Sequence, residues 1–174
     1  MSNLRLINET EITSSVSSVD ITDVFSADFD IYKFTITGLE TTGTTQTRLN
    51  LRYINSGGSV VSGSTYDYAT LRLNSGSSFT EAKSTTATYQ QYSQIDQNPE
   101  GAGFVGYVFN PNNSSSYTFQ VWQMMSANAG GSLSLKGIGV EHTTASYTGF
   151  QILEVSSRPF NNGTIRTYGL RVDS

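Results

Sequence analysis

His142 is the only histidine of the 174-residue chain, so any Ser-His-Asp relay has to run through it. Its neighbours Thr143, Thr144 and Ser146 carry hydroxyls, but no glycine-flanked nucleophile elbow surrounds them. Without an activating partner or a legible oxyanion donor, it reads as a polar residue at a strand end. Glycoside hydrolysis needs two carboxylates across a cleft. The acids Glu81, Asp96, Glu100, Glu141 and Glu154 are scattered, and no pair stands out. Asp20, Asp23, Asp28 and Asp30 crowd into eleven residues. Hard oxygen ligands on a loop hold calcium, yet the glycine and closing glutamate of an EF-hand are missing. These aspartates therefore read as turn, capping and strand-flanking residues. The chain has no cysteine, hence neither disulfides nor thiolate metal sites. The expectation is a protein that is not an enzyme, with no catalytic residue, no metal and no cofactor.

Recognition chemistry is more legible. Tyr66, Tyr68, Tyr89, Tyr92 and Tyr147, with Trp122, lie in or near polar segments. Such side chains bury area at low entropic cost and keep a polar handle, which suits a sugar ring or another protein. Tyr89 and Tyr92 fall in a long polar stretch and are the candidates for exposed contact. By contrast, Phe25, Phe29, Phe34, Phe104, Phe109, Phe119 and Phe150 sit mostly at period-two positions and read as core.

The elements that must position these residues are strands. Tyr32, Phe34 and Ile36 alternate with Lys33 and Thr35, and Leu49, Leu51 and Tyr53 alternate with Arg48, Asn50 and Arg52. Further strands are expected over Asp20 to Phe25, Tyr66 to Leu73, Gly103 to Phe109, Tyr117 to Met125, Leu133 to Glu141, Phe150 to Val155 and Thr164 to Val172. Turn clusters separate them: Asn55-Ser56-Gly57-Gly58, Asn74-Ser75-Gly76, Asn110-Pro111-Asn112-Asn113 and Asn128-Ala129-Gly130-Gly131. No segment shows a helical stripe. The fold predicted is all-β, a single jelly-roll-like antiparallel sandwich of about eight or nine strands with an N-terminal arm.

Residues 19–174 form that domain. The arm, residues 1–18, carries Leu4, Leu6 and Ile7 and either pairs as an edge strand or reaches a neighbouring subunit. The polar excursion over 77–100 is too long for a hairpin loop, and reads as a binding segment or a short helix.

Charge is sparse: 14% of residues, with a formal net charge of −4. A nucleic-acid surface needs clustered Lys and Arg, so none is expected. No apolar run is long enough for a bilayer. The opening MSNLRLINET lacks the apolar core of a signal peptide, which implies synthesis in a cytoplasm.

The end of the chain is the most specific signal. Phe160-Asn161-Asn162-Gly163-Thr164-Ile165-Arg166-Thr167-Tyr168-Gly169-Leu170 resembles the F-x-x-G-T-I/V-R-x-Y-G-L/I ending of β-sandwich structural proteins of tailed bacteriophages. Phe25 to Leu39 is similar to the first long core strand of the same group. Asn162-Gly163 reads as a tight turn and Gly169 as a strand glycine packed beneath a neighbour. The resemblance implies a virion structural protein on the outer surface of the particle. Its foremost form is a head decoration or cement protein, a homotrimer whose partner is the major capsid protein. The alternative is a tail-fibre or receptor-binding domain recognising host glycans, since one fold serves both.

Overall fold

A computed structural model describes residues 3–42, 47–77, 79–95, 101–128 and 131–170. Those residues form twelve strands and no helix: β1 (Leu4–Ile12), β2 (Ser18–Ile21), β3 (Ile31–Thr41), β4 (Thr47–Asn55), β5 (Tyr66–Asn74), β6 (Thr80–Ala87), β7 (Gln90–Ile95), β8 (Ala102–Phe109), β9 (Thr118–Asn128), β10 (Gly131–Glu141), β11 (Tyr147–Leu153) and β12 (Phe160–Leu170). They make two antiparallel sheets, an eight-stranded one in the order β1-β12-β3-β8-β9-β10-β5-β6 and a four-stranded one in the order β2-β11-β4-β7. Asp96, Glu100, the Ala129-Gly130 turn and the last expected strand residues, Arg171 and Val172, lie outside the described residues.

The pairing reveals how the chain is wound. β1 pairs with β12, β2 with β11, β3 with β8 and β4 with β7, all antiparallel. Closing β12 on β3 and β11 on β4 completes the two four-stranded layers of a jelly roll. The remaining four strands are two hairpins. β5–β6 is inserted between β4 and β7, and β9–β10 between β8 and β11, and together they extend the large sheet beyond β8.

This differs from the expected eight or nine strands at three places. The N-terminal arm adds a strand to the count by taking its edge-strand alternative: it forms β1, whose Leu4 pairs with Leu170 at the sheet edge. The stretch over 77–100 supplies β6 and β7, in different sheets, and no helix among its described residues. β6, TEAKSTTA, escapes the apolar-alternation test because it is an edge strand with no buried residue. Asn162-Gly163 is not a hairpin turn either. β12 runs straight through it, and Gly163, at φ 146°, sits where the register against β3 shifts, so the dipeptide makes a bulge.

The core lies between the layers. Phe34 and Phe104 stack with centroids 4.9 Å apart, Phe150 of the small sheet stands 5.2 Å from Phe34, and Tyr92 packs 4.8 Å from Phe104 and 4.9 Å from Trp122. The last two contacts hold β7 against the start of the extension.

Candidate functional site

The aromatic candidates are mostly inside. Tyr92, expected at the surface, is 0% exposed. It is an inward residue of β7, and its hydroxyl donates to Gln120 Oε1 at 2.5 Å. Tyr66, Tyr147 and Trp122 are buried too. Tyr66 Oη accepts from Tyr53 N–H and donates to the Val61 carbonyl, both at 2.9 Å. Tyr147 donates to Glu141, a fully buried carboxylate that also accepts from Thr143 N–H at 3.1 Å and Thr143 Oγ1 at 2.8 Å. Internal partners thus satisfy the hydroxyls of Tyr66, Tyr92 and Tyr147, whereas the buried Trp122 indole N–H has no hydrogen-bond partner among the described residues. Burial pushes the Tyr53, Tyr66, Tyr92 and Tyr147 hydroxyls above the ordinary tyrosine range, and for Tyr147 the bond to Glu141 adds to it.

The other candidates do not assemble into a site. Tyr89 is half-buried, its ring centroid 5.9 Å from the Arg52 guanidinium. Leu4, Leu6 and Ile7 lie on β1 at the far edge of the large sheet. Leu4 is half-buried, Leu6 is 51% exposed, and Ile7 packs against the core. His142 Nδ1 stands 3.2 Å from Asp67 Oδ1, and no hydroxyl of the described residues bonds the ring. Nor do three or more His, Cys, Asp or Glu side chains gather into a metal-binding group among the described residues.

What the structure does assemble is the outer face of the large sheet. On β9, Thr118, Gln120, Trp122 and Met124 point inward, so Phe119, Val121, Gln123 and Met125 point out. Register extends this face sideways. Val121 lies opposite Tyr107 on β8 and Ile138 on β10, and Ile138 lies opposite Ala69 on β5. One row along, Phe119 lies opposite Phe109 and Val140. Ile138 is 61% exposed, Met125 58%, Phe119 47% and Val121 40%. Between these side chains and β6 runs an open groove of about 800 Å³, lined by Phe109, Phe119, Val121, Ile138, Val140 and Ala69 with Asp67 and Lys83 at its margin.

No protein-family model and no curated protein matches the chain. Among solved structures it is similar to the CBM2 module of the evolved Dit of Lactobacillus casei BL23 phage J-1, at 7% identity and a TM-score of 0.27, covering 90% of this chain and 70% of that one. It is also similar to a chain in the structure of infectious bursal disease virus Gx strain, at 9% identity and a TM-score of 0.16, covering 96% of this chain and 40% of that one. Neither score amounts to a shared fold, and the reading of the outer face rests on its own residues.

Beyond β8 the middle of the same face changes character. Across β3 and β12 it carries Lys33, Thr35, Thr37, Thr164 and Arg166, with Arg166 Nε 2.5 Å from Glu9 Oε2 of β1. Lys33 on β3 is the direct partner of Tyr107 on β8. At the end of these strands the apolar character persists, because Phe109 is followed across the sheet by Ile31, Leu170 and Leu4, and Tyr168 stands between Lys33 and Leu6. The exposed apolar field is densest on the inserted hairpins and β8, and fields of this kind are characteristic of contact surfaces. Sequence reasoning missed it by assigning Phe109 and Phe119 to the core. The available signal was strand β9 itself, which is apolar at both parities, a pattern of strands covered on both faces.

Proposed function

We propose that this chain is a structural protein of a tailed-phage virion, a decoration protein that seats the apolar face of its sheet extension on the outer surface of the head. The observation that carries the reading is the contiguous exposed apolar field on β8, β9, β10 and β5, from which one apolar row runs on through Ile31, Leu170 and Leu4. The C-terminal resemblance supplies the particle, and the field supplies the means of attachment. Its occupant is the major capsid protein. Attachment by burial needs no reaction chemistry. Contacts to two capsomers at once, each weak alone, sum through effective concentration, which is how a small domain ties a lattice together. A homotrimer fits a symmetric lattice, because closed cyclic contacts also cover free sheet edges.

The test mixes purified protein with expanded, undecorated heads of the source phage, followed by pelleting and cryo-electron microscopy. The expected result is regular density with β8–β10 against the capsid, and a loss of binding of at least about tenfold for Ile138→Glu, since a buried unpaired carboxylate costs more than one decade of affinity. Ile138 is solvent-exposed, so the variant keeps the melting temperature of the parent. Equal binding of both proteins removes the field from the mechanism. No binding to heads, with the protein on tail appendages of whole virions, replaces the reading with the receptor-binding one.

A further inference from the structure

The second built feature lies at the end of the sandwich where β3 begins and β8 ends. Here the β2–β3 loop and the β8–β9 loop border an open pocket of about 320 Å³, lined by Phe29, Asp30, Asn110, Asn112, Asn113 and Ser114 together with Ser26 and Ala27. Its walls are fixed by backbone. Asn110, in the left-handed region at φ 57°, donates its N–H to the Asp30 carbonyl at 2.8 Å. The Asn112 amide donates to the Tyr147 carbonyl at 3.1 Å, and Tyr147 N–H donates back to the Pro111 carbonyl at 2.8 Å. Phe29 forms the aromatic wall. Its ring lies on Gly169, where a Cβ would stand 2.5 Å from the ring, and meets Tyr32 edge-on at 5.8 Å. The glycine of the C-terminal motif therefore seats this ring.

We infer that this pocket binds a saccharide unit. Asp30, Asn110 and Ser114 line it, and their side chains make no hydrogen bond within the described residues. A carboxylate and an amide side by side accept from and donate to neighbouring hydroxyls, while an aromatic wall receives the C–H face of a sugar ring. Other ligand classes fit less well. No Lys or Arg lines the pocket, so an anion meets only the repulsion of Asp30. A divalent cation finds a single carboxylate, Asp30, among neutral amide and hydroxyl oxygens, too little charge for a tight hard-ion site. An apolar ligand strands the amides and the hydroxyl. The pocket is small for a ligand site, which suits one sugar unit of a longer polymer. This inference goes beyond the docking role and does not depend on it, because the pocket opens at the end of the sandwich and the field lies on its broad face.

The experiment is an amide NMR titration of the full chain, without capsids. One arm uses methyl glycosides of glucose, galactose, mannose, rhamnose and N-acetylglucosamine, a second uses depolymerised surface polysaccharide of the host bacterium, and a third uses calcium chloride alone. The expected result is shifts confined to residues 26–30 and 110–114, with dissociation constants of the order of millimolar for single sugars and tighter for the polysaccharide if the polymer is the natural source. Asp30→Ala, which alters an exposed side chain and leaves the carbonyl bond in place, is expected to weaken binding about tenfold at an unchanged melting temperature. No shift in either sugar arm overturns the inference. So do shifts elsewhere, the same shifts with calcium alone, or full affinity in Asp30→Ala.

Discussion

At the scale of single residues, tyrosine decides much of this protein, and its hydroxyl explains why. Tyr53, Tyr66 and Tyr147 stack between the β4–β11 pair and the first residue of β5, with Tyr53 to Tyr147 centroids 4.9 Å apart. Each of these, like Tyr92, ionises at higher pH folded than unfolded, because burial opposes the phenolate. The stabilisation is fully present below the unfolded value near 10 and is lost as pH rises through the folded values. Stability is therefore expected to fall steeply above about pH 10, each buried tyrosine adding up to about 1.4 kcal/mol per pH unit. Urea midpoints between pH 8 and 11.5, read beside the phenolate absorbance, check this. A flat profile above pH 10 contradicts burial of these four rings.

At the scale of elements, strand β9 carries the clearest consequence. Its two parities cannot both face the core, and the structure puts Trp122 inside and Phe119 outside. Trp122→Ala is expected to destabilise by about 3–5 kcal/mol, the range for removing a buried large aromatic. Phe119→Ser, on the outer face, is expected to change stability by under about 1 kcal/mol, as surface substitutions do. Denaturant midpoints of the two variants decide the point, and equal losses contradict the assigned faces. Neighbouring elements show why such a face was hard to see. β7 contributes buried Gln90, whose amide donates to the Asp67 and Val140 carbonyls at 3.1 and 2.9 Å. A polar residue used this way inside the sandwich looks, in sequence, like part of a surface loop.

At the scale of the whole molecule, the jelly roll brings the ends of the chain together. β1 closes on β12 with Leu4 opposite Leu170 and Ile12 opposite Gly163, and Ile12 is buried beneath the pair. Pairing so distant in sequence must be closed late and against chain entropy, so folding on the scale of milliseconds to seconds is expected. Removing β1 uncovers the hydrogen-bonding edge of β12. Deletion of residues 1–12 is expected to lower the melting temperature and to produce self-association, because an unpaired edge recruits other strands. Sedimentation velocity and a thermal scan test this together, and a monomer melting like the parent removes β1 from the closed fold.

Composition and period-two patterning were sufficient for the strands of the core, because burial of alternate residues is a local property of the chain. They also marked Gly169 as a packed position. The chain alone did not determine which parity of β9 faces inward, where Tyr92 lies, or that the N-terminal segment is the first strand of the roll. Those outcomes depend on which layer covers a strand and on partners far away in sequence. Only tertiary structure places the four-stranded layer over one face of the large sheet and leaves Phe119, Val121 and Ile138 open on the other. The apolar field and the loop pocket are both products of that placement, since each is built from strands or loops that meet only after the chain has wound.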